Sequence, residues 1–282
     1  MTSATKRSRN PLGGRNVPGG LAGWLWLAVI VLPVYYIVVT SLRPREDYFT
    51  ENPLSLPSAP TLDAYGRVLE NDFARYFLNS VLVTAGSVVV TLAVSLMAAY
   101  VVVRSRTRFA GNLLRLVLLG IAIPIQAAII PVYYLIVELG LYDTLLAIAL
   151  PSIAFAIPIT VLILVNFLRD VPGELFESMR LDGAGEWRML GSLVLPLCRP
   201  ALVAVAVYDA LQVWNGFLFP LILTQSEETR VLPLSLWTFE GEFTADVPAV
   251  LAAVVLSVIP VLAAYAVARR HLVSGLTAGF GK

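Results

Sequence analysis

The sequence predicts an all-α membrane protein that crosses the bilayer with six helices, on the strength of three observations. Hydrophobic residues fill 58% of the 282 positions and charged residues only 14%, a balance far more apolar than soluble domains carry. Six runs, at 21–42, 77–103, 113–137, 142–167, 193–224 and 247–268, meet the need of a membrane helix for roughly 20 mostly apolar residues. With the N-terminus placed inside, fifteen of the 20 basic residues fall in inner segments and five in outer ones, so the positive-inside rule puts both termini in the cytoplasm.

Composition also excludes classes. A lone Cys198 forms no intrachain disulfide and a lone His271 builds no metal cluster. No basic stripe with interleaved aromatics points to nucleic acid. Residues 1–20 are basic and precede an apolar run too long for a signal-peptide core, which reads as a retained first span. The outer segment 43–76 is punctuated by proline and then turns weakly amphipathic; its weak periodicity favours a surface loop throughout, with an extended loop followed by a helix along the outer surface as the alternative. In the second long outer segment, Trp237, Phe239 and Phe243 suit headgroup depth. No internal repeat of the kind that builds secondary carriers is visible across 21–268.

The inner loop at 168–192 is more specified than a connector needs to be. Asp170 is placed to cap a helix and Pro172 to open its first turn, with Glu174 and Glu177 near the positive end of its dipole. Leu175, Phe176 and Met179 form a short apolar stripe. Asp182, Gly183 and Ala184 follow, with Gly183 where a left-handed residue would end the helix. A second short turn begins at Gly185, and Pro196 and Pro200 bend the start of the fifth span. Such a knob suits docking into a groove on a cytoplasmic partner, with an interfacial helix lying on lipid as the alternative.

Polar residues inside spans face the bundle interior by default. Tyr208, Gln212 and Asn215 recur at i, i+4 and i+7 and share one helical face, with Trp214 beside them. Hydroxyl partners and an aromatic plane are the chemistry a neutral sugar needs. Asn79, Ser80, Gln126 and Asn166 are weaker additions, and interhelical hydrogen bonding is the structural alternative for all of them. Asp209 is the single acid near the middle of a span, suited to a partner's arginine or to substrate. The tail at 269–282 reads as a frayed end.

The loop "ELFESMRLDGAGEWRMLGSLVLPLCRP" resembles that of the inner-membrane subunits of binding-protein-dependent ABC importers, whose pattern is E-A-A, then D-G-A, then an apolar residue with L-P. Glu177, Asp182, Gly183, Ala184, Leu195 and Pro196 match it, while Ser178 and Met179 stand where the family has alanines. "RYFLNSVLVT" (75–84), "AAY" (98–100), "IPIQAAIIPVY" (123–133), "VWNGFLFPL" (213–221) and "GLTAGFGK" (275–282) extend the likeness over nearly the whole chain. Together they are similar to the MalG-like branch of carbohydrate importer permeases.

The resemblance implies the ABC type I importer permease fold and a non-catalytic subunit in a bacterial inner membrane. It implies a second related permease, two copies of an ATPase subunit and an extracytoplasmic sugar-binding protein as partners. In that reading Glu174, Leu175, Phe176, Glu177, Met179, Asp182, Gly183 and Ala184 couple to the ATPase. Gly275, Leu276, Thr277 and Gly279 of the tail contact it, although Phe280 and Lys282 depart from the usual ending. ATP and Mg belong to the partner: this chain has no G-x-x-x-x-G-K-[ST] phosphate loop and is expected to bind no cofactor. An importer for another solute, a stand-alone secondary carrier and an intramembrane enzyme are the competing readings. The carrier would need repeats or paired intramembrane ions, and the enzyme a nucleophile–base pair within the spans, which the sequence lacks.

Overall fold

A computed structural model describes residues 17–105, 107–239 and 245–278. Apolar runs become helices because a backbone in lipid must satisfy its own hydrogen bonds, and no β-strand occurs among the described residues. Helix α1 (Val17–Ser41) is followed by α2 (Asp63–Glu70), α3 (Phe73–Arg104), α4 (Arg108–Leu119), α5 (Ile125–Glu138) and α6 (Leu145–Arg169). Then come α7 (Gly173–Leu181), α8 (Glu186–Met189), a π-helical turn (Leu190–Val194), α9 (Leu195–Leu197) and α10 (Arg199–Trp214). The chain closes with α11 (Leu218–Leu223), α12 (Leu232–Ser235) and α13 (Val247–Ala278).

Among the described residues, four helices are long and apolar enough to cross a membrane, over Pro18–Ser41, Phe73–Arg104, Leu145–Arg169 and Val247–Ala266. The third and fifth expected spans are not straight. Arg108–Ala122 meets Ile125–Glu138 at 106°, and Glu186–Leu197 meets Arg199–Trp214 at 76°; the total is six only if each bent pair is one span. The first bend has a local cause. Ile123, extended at φ −84° and ψ 113°, precedes Pro124, whose ring disfavours a helical residue before it. The turn before it also presses on α6, since a Cβ on Gly120 would stand 2.8 Å from Pro158 Cγ. The second bend falls where Pro196 and Pro200 were expected to produce it, and the fifth span stops at Trp214 rather than running to 224.

The main core joins α3 to α6. Ser80, Ser87, Thr91, Ser95 and Ala99 are buried along α3, and small residues at this spacing let two helix backbones approach closely. Toward the C-terminal ends of both helices, Leu96 and Tyr100 pack with Leu164, Val165 and Leu168, and the same cluster takes in Phe176, Ala184 and Met189 of the following loop. Full burial of an aromatic or Met side chain contributes about 1.5–3 kcal/mol, so α7 and α8 are fastened to α3 and α6.

At the opposite end, the segment expected to be a surface loop is organised around a buried cation. Arg43 is fully buried; its guanidinium donates to the carbonyls of Asn52 (3.0 Å) and Ser55 (2.8 Å) and lies 3.2 Å from Glu51. The less favoured reading of this segment, a helix after the loop, is realised as α2, whose Ala64 and Val68 pack on Ala249, Ala252 and Ala253 of α13. Arg67 adds an ion pair to Asp246 at 2.9 Å. Trp237 is half exposed with its ring against Phe217, while Phe239 packs on the α2–α13 cluster; Phe243 lies outside the described residues.

Asp143 ties two connections together at this end. Its Oδ1 accepts from the Gln225 N–H (2.8 Å), the Ser226 N–H (3.0 Å) and the Thr229 hydroxyl (2.7 Å). Partial burial pushes the Asp143 carboxyl up, but these hydrogen bonds outweigh it and hold its pKa at about 2. A folded-state pKa below the unfolded value of about 3.9 means that stability from this carboxylate is complete above about pH 5 and lost as pH falls through about 2. Asp143→Asn should therefore lower the melting temperature at neutral pH and reduce the acid-dependent loss of stability. Melting curves from pH 7 to pH 2 check this; parallel curves for the two proteins would contradict it.

Candidate functional site

The loop between α6 and α10 is the first candidate. Asp170 caps the C-terminus of α6 rather than starting α7, and Pro172 takes the N-cap position, because the chain turns once more before α7 begins. The end of α7 is as expected. Gly183 has φ +76°; its N–H donates to Arg180 O (3.1 Å) and the Ala184 N–H to Met179 O (3.0 Å). Those two bonds make a Schellman cap, with Ala184 and Met179 in the accompanying apolar contact.

The stripe expected to seat in a partner divides. Phe176 is 2% exposed and, with Met179 and Ala184, turns into the core of α3 and α6. Its ring lies under the Arg104 guanidinium, 4.1 Å from the centroid. Once the apolar face of α7 is used internally, the outer face consists of Glu174, Leu175, Glu177, Ser178, Leu181 and Asp182. Leu181 is 90% exposed, and Trp187 of α8 is 77% exposed. Neither was singled out from the sequence. The signal was present: an apolar residue at i+7 from Glu174 stands opposite Phe176 and has no internal partner. Glu186 holds the knob to α3, accepting from the Tyr100 hydroxyl and, at 2.8 Å, from Arg180.

The second candidate is α10. Ala204, Tyr208, Leu211, Gln212 and Asn215 are exposed and fall on one face, so the expected trio Tyr208, Gln212 and Asn215 is uncovered by this chain. Asn215 also donates to Leu211 O at 2.8 Å. Trp214 does not offer a free plane: its indole N–H donates to Ser257 O (3.3 Å) and its ring meets Phe77 edge-on, at a centroid distance of 5.9 Å.

Asp209 faces the other way. It is 1% exposed and accepts from the Thr160 hydroxyl of α6 at 2.9 Å, which turns it away from the exposed face and makes it a tie between α10 and α6. Asn79 is likewise structural, its amide donating to Glu228 O (2.8 Å) and Arg230 O (2.9 Å), while Ser80 Oγ accepts from the Leu232 N–H at 2.8 Å. Gln126 is exposed at the start of α5 and Asn166 near the end of α6, on elements apart from the α10 trio. Asn79→Leu removes both hydrogen bonds, at about 0.5–1.5 kcal/mol each, and should lower stability with transport KM unchanged. A raised KM at wild-type thermal stability would restore Asn79 to the path.

In the tail, Gly275, Leu276 and Thr277 continue α13, which runs ten residues past its expected end at 268. Gly279 lies outside the described residues.

The family described as binding-protein-dependent transport system inner membrane component matches residues 80–277. This chain belongs to that family. A Caldicellulosiruptor protein named for an ABC transporter permease, ORF2, is 37% identical over 90% of this chain and 93% of its own length. The trehalose/maltose transport system permease protein MalG of Thermococcus litoralis is 31% identical over 92% and 94%. Among solved structures, a bacterial ABC transporter that imports the acidic polysaccharide alginate superposes with a TM-score of 0.79, covering 95% of this chain and 99% of the matched one at 22% identity. The MalG-like resemblance is thus borne out, as is the all-α permease fold.

Proposed function

We propose that this chain is one permease subunit of an ATP-driven importer that takes up a sugar handed over by an extracytoplasmic binding protein. The observation that carries the reading is the α7 knob: a Schellman-capped helix whose inner face belongs to the α3–α6 core and whose outer face is left uncovered. An ATPase subunit seated on Glu174, Leu175, Glu177 and Leu181 would push through Phe176 on the packed ends of α3 and α6, and a close-packed core transmits such a displacement. ATP and Mg stay with that partner, in two copies. Gly275, Leu276, Thr277 and Gly279 would approach it from the tail. The uncovered face of α10 meets a second, related permease, with the solute path between them.

The basic residues support an orientation with both termini and α7 in the cytoplasm of a bacterial cell, and with α2, Asp143 and α12 outside, where the binding protein docks. Sugar as the solute is supported by the hydroxyl and amide groups of Tyr208, Gln212 and Asn215 and by relatives. These include the diacetylchitobiose uptake system permease NgcG of Streptomyces coelicolor, 30% identical over 90% of this chain and 85% of its own length.

The test is uptake by proteoliposomes that contain this chain with its partner permease, ATPase and binding protein. Labelled disaccharide should accumulate only with ATP and binding protein. Accumulation without ATP would replace this reading by a secondary carrier, and ATP-driven uptake of amino acids or ions alone would remove the sugar.

A further inference from the structure

Beside α7 the bundle carries a groove of about 580 Å³ between the C-terminal turns of α3 and the α7–α8 loop. Met97, Val101, Leu190 and Trp187 give it apolar walls, and it is open along α3, where Met97 and Val101 are exposed. Two guanidinium groups, Arg104 and Arg180, face one carboxylate, Glu186. Glu186 pairs with Arg180 at 2.8 Å. Arg104 rests on the Phe176 ring, and its Nε is buried without a hydrogen-bond partner among the described residues. The groove therefore combines an apolar wall with an excess of positive charge, two guanidiniums against one carboxylate.

Its depth follows from helix length. Helix α3 has 32 residues, about 48 Å at 1.5 Å per residue, against a hydrocarbon core of about 30 Å. With the apolar stretch in the core, the last turn with Arg104 emerges among headgroups. Helix α4 begins nearby at Arg108 and exposes Phe109, Leu116 and Leu119 beside Arg115, so basic and apolar groups also share its uncovered surface.

We infer that this groove binds an anionic phospholipid, with its phosphate on Arg104 and an acyl chain along Met97, Val101 and Leu190. A planar guanidinium suits a phosphate, and basic sites between membrane helices select anionic headgroups. A free phosphate would leave the apolar wall unused. Because Arg104 also holds Phe176, the lipid sits directly behind α7 and stiffens it against α3. The inference rests only on the chain's place in a membrane, not on the solute it moves.

The test is lipid retention by the purified complex, after reconstitution in nanodiscs of equal phosphatidylglycerol and phosphatidylcholine, read by native mass spectrometry. One phosphatidylglycerol per copy of this chain is expected for wild type. Arg104→Gln should lower that retention at least tenfold. Glu186→Gln, which removes the opposing charge at constant side-chain length, should raise it, whereas mere damage to the fold would lower both. Equal retention by all three proteins would overturn the inference. So would equal retention of the two lipids, displacement by millimolar inorganic phosphate, or a photocrosslinker at Val101 that captures the second permease instead of lipid.

Discussion

Gly183→Val is expected to abolish productive coupling while the chain still inserts and pairs with its partner permease. Gly183 holds φ +76° with open space around the position a Cβ would occupy, so the cost is backbone strain and not a clash. A non-glycine residue in the left-handed region costs about 1–2 kcal/mol, and more when β-branched. Relief of that strain unmakes the bonds from Gly183 to Arg180 and from Ala184 to Met179, and shifts α7, with its Phe176, relative to the α3–α6 core. Strain of this size shifts the equilibrium between the capped and uncapped loop by about tenfold, and binding-protein-stimulated ATP hydrolysis should fall with it. Gly183→Asn, which tolerates the left-handed region, should keep most of it. Equal losses in both variants would place the cause elsewhere than in the cap.

The second large effect lies in the bundle, where Thr160→Val should destabilise the protein and Asp209→Leu in the same chain should restore it. The Thr160 hydroxyl is the one donor to the buried Asp209 carboxyl found among the described residues, and Asp209 Oδ1 is buried without any. Depriving a buried polar group of its partner costs about 1–3 kcal/mol, whereas replacing both partners by apolar groups is nearly neutral. Melting temperatures of the single and double variants measure this directly; a double variant no more stable than Thr160→Val would contradict it. Asp209→Asn should leave the KM for solute unchanged, because Asp209 points to α6 and away from the uncovered face of α10.

Much of this was legible in the sequence for physical reasons. Long apolar runs cannot hide, and the knob could be placed because Gly183 stands where a left-handed residue ends a helix and because Glu177, Asp182 and Ala184 match the pattern of the family it resembles. Hidden were properties that depend on a neighbour. Phe176 and Leu181 look alike as letters in a helix; only contact with α3 and α6 decides which turns inward. Asn79 and Asp209 look like pathway groups in a span, yet the carbonyls of Glu228 and Arg230 and the hydroxyl of Thr160 engage them from sequence-distant segments. The bend at Pro124 falls at one of the prolines that permit kinks in these spans, whereas the close approach of Gly120 to Pro158 has no local signature. Arg43 was passed over because a basic residue in a proline-rich segment usually faces water.

In the proposed coupling the outer face of α7, and not its inner stripe, receives the ATPase. The most direct measurement is co-purification of the tagged chain with its membrane partners in mild detergent, comparing wild type with Leu181→Asp and Glu177→Lys. Wild type should bring down a second permease and an ATPase subunit, and both variants should retain the permease while losing the ATPase. Retention of the ATPase at wild-type stoichiometry by both variants would contradict the claim.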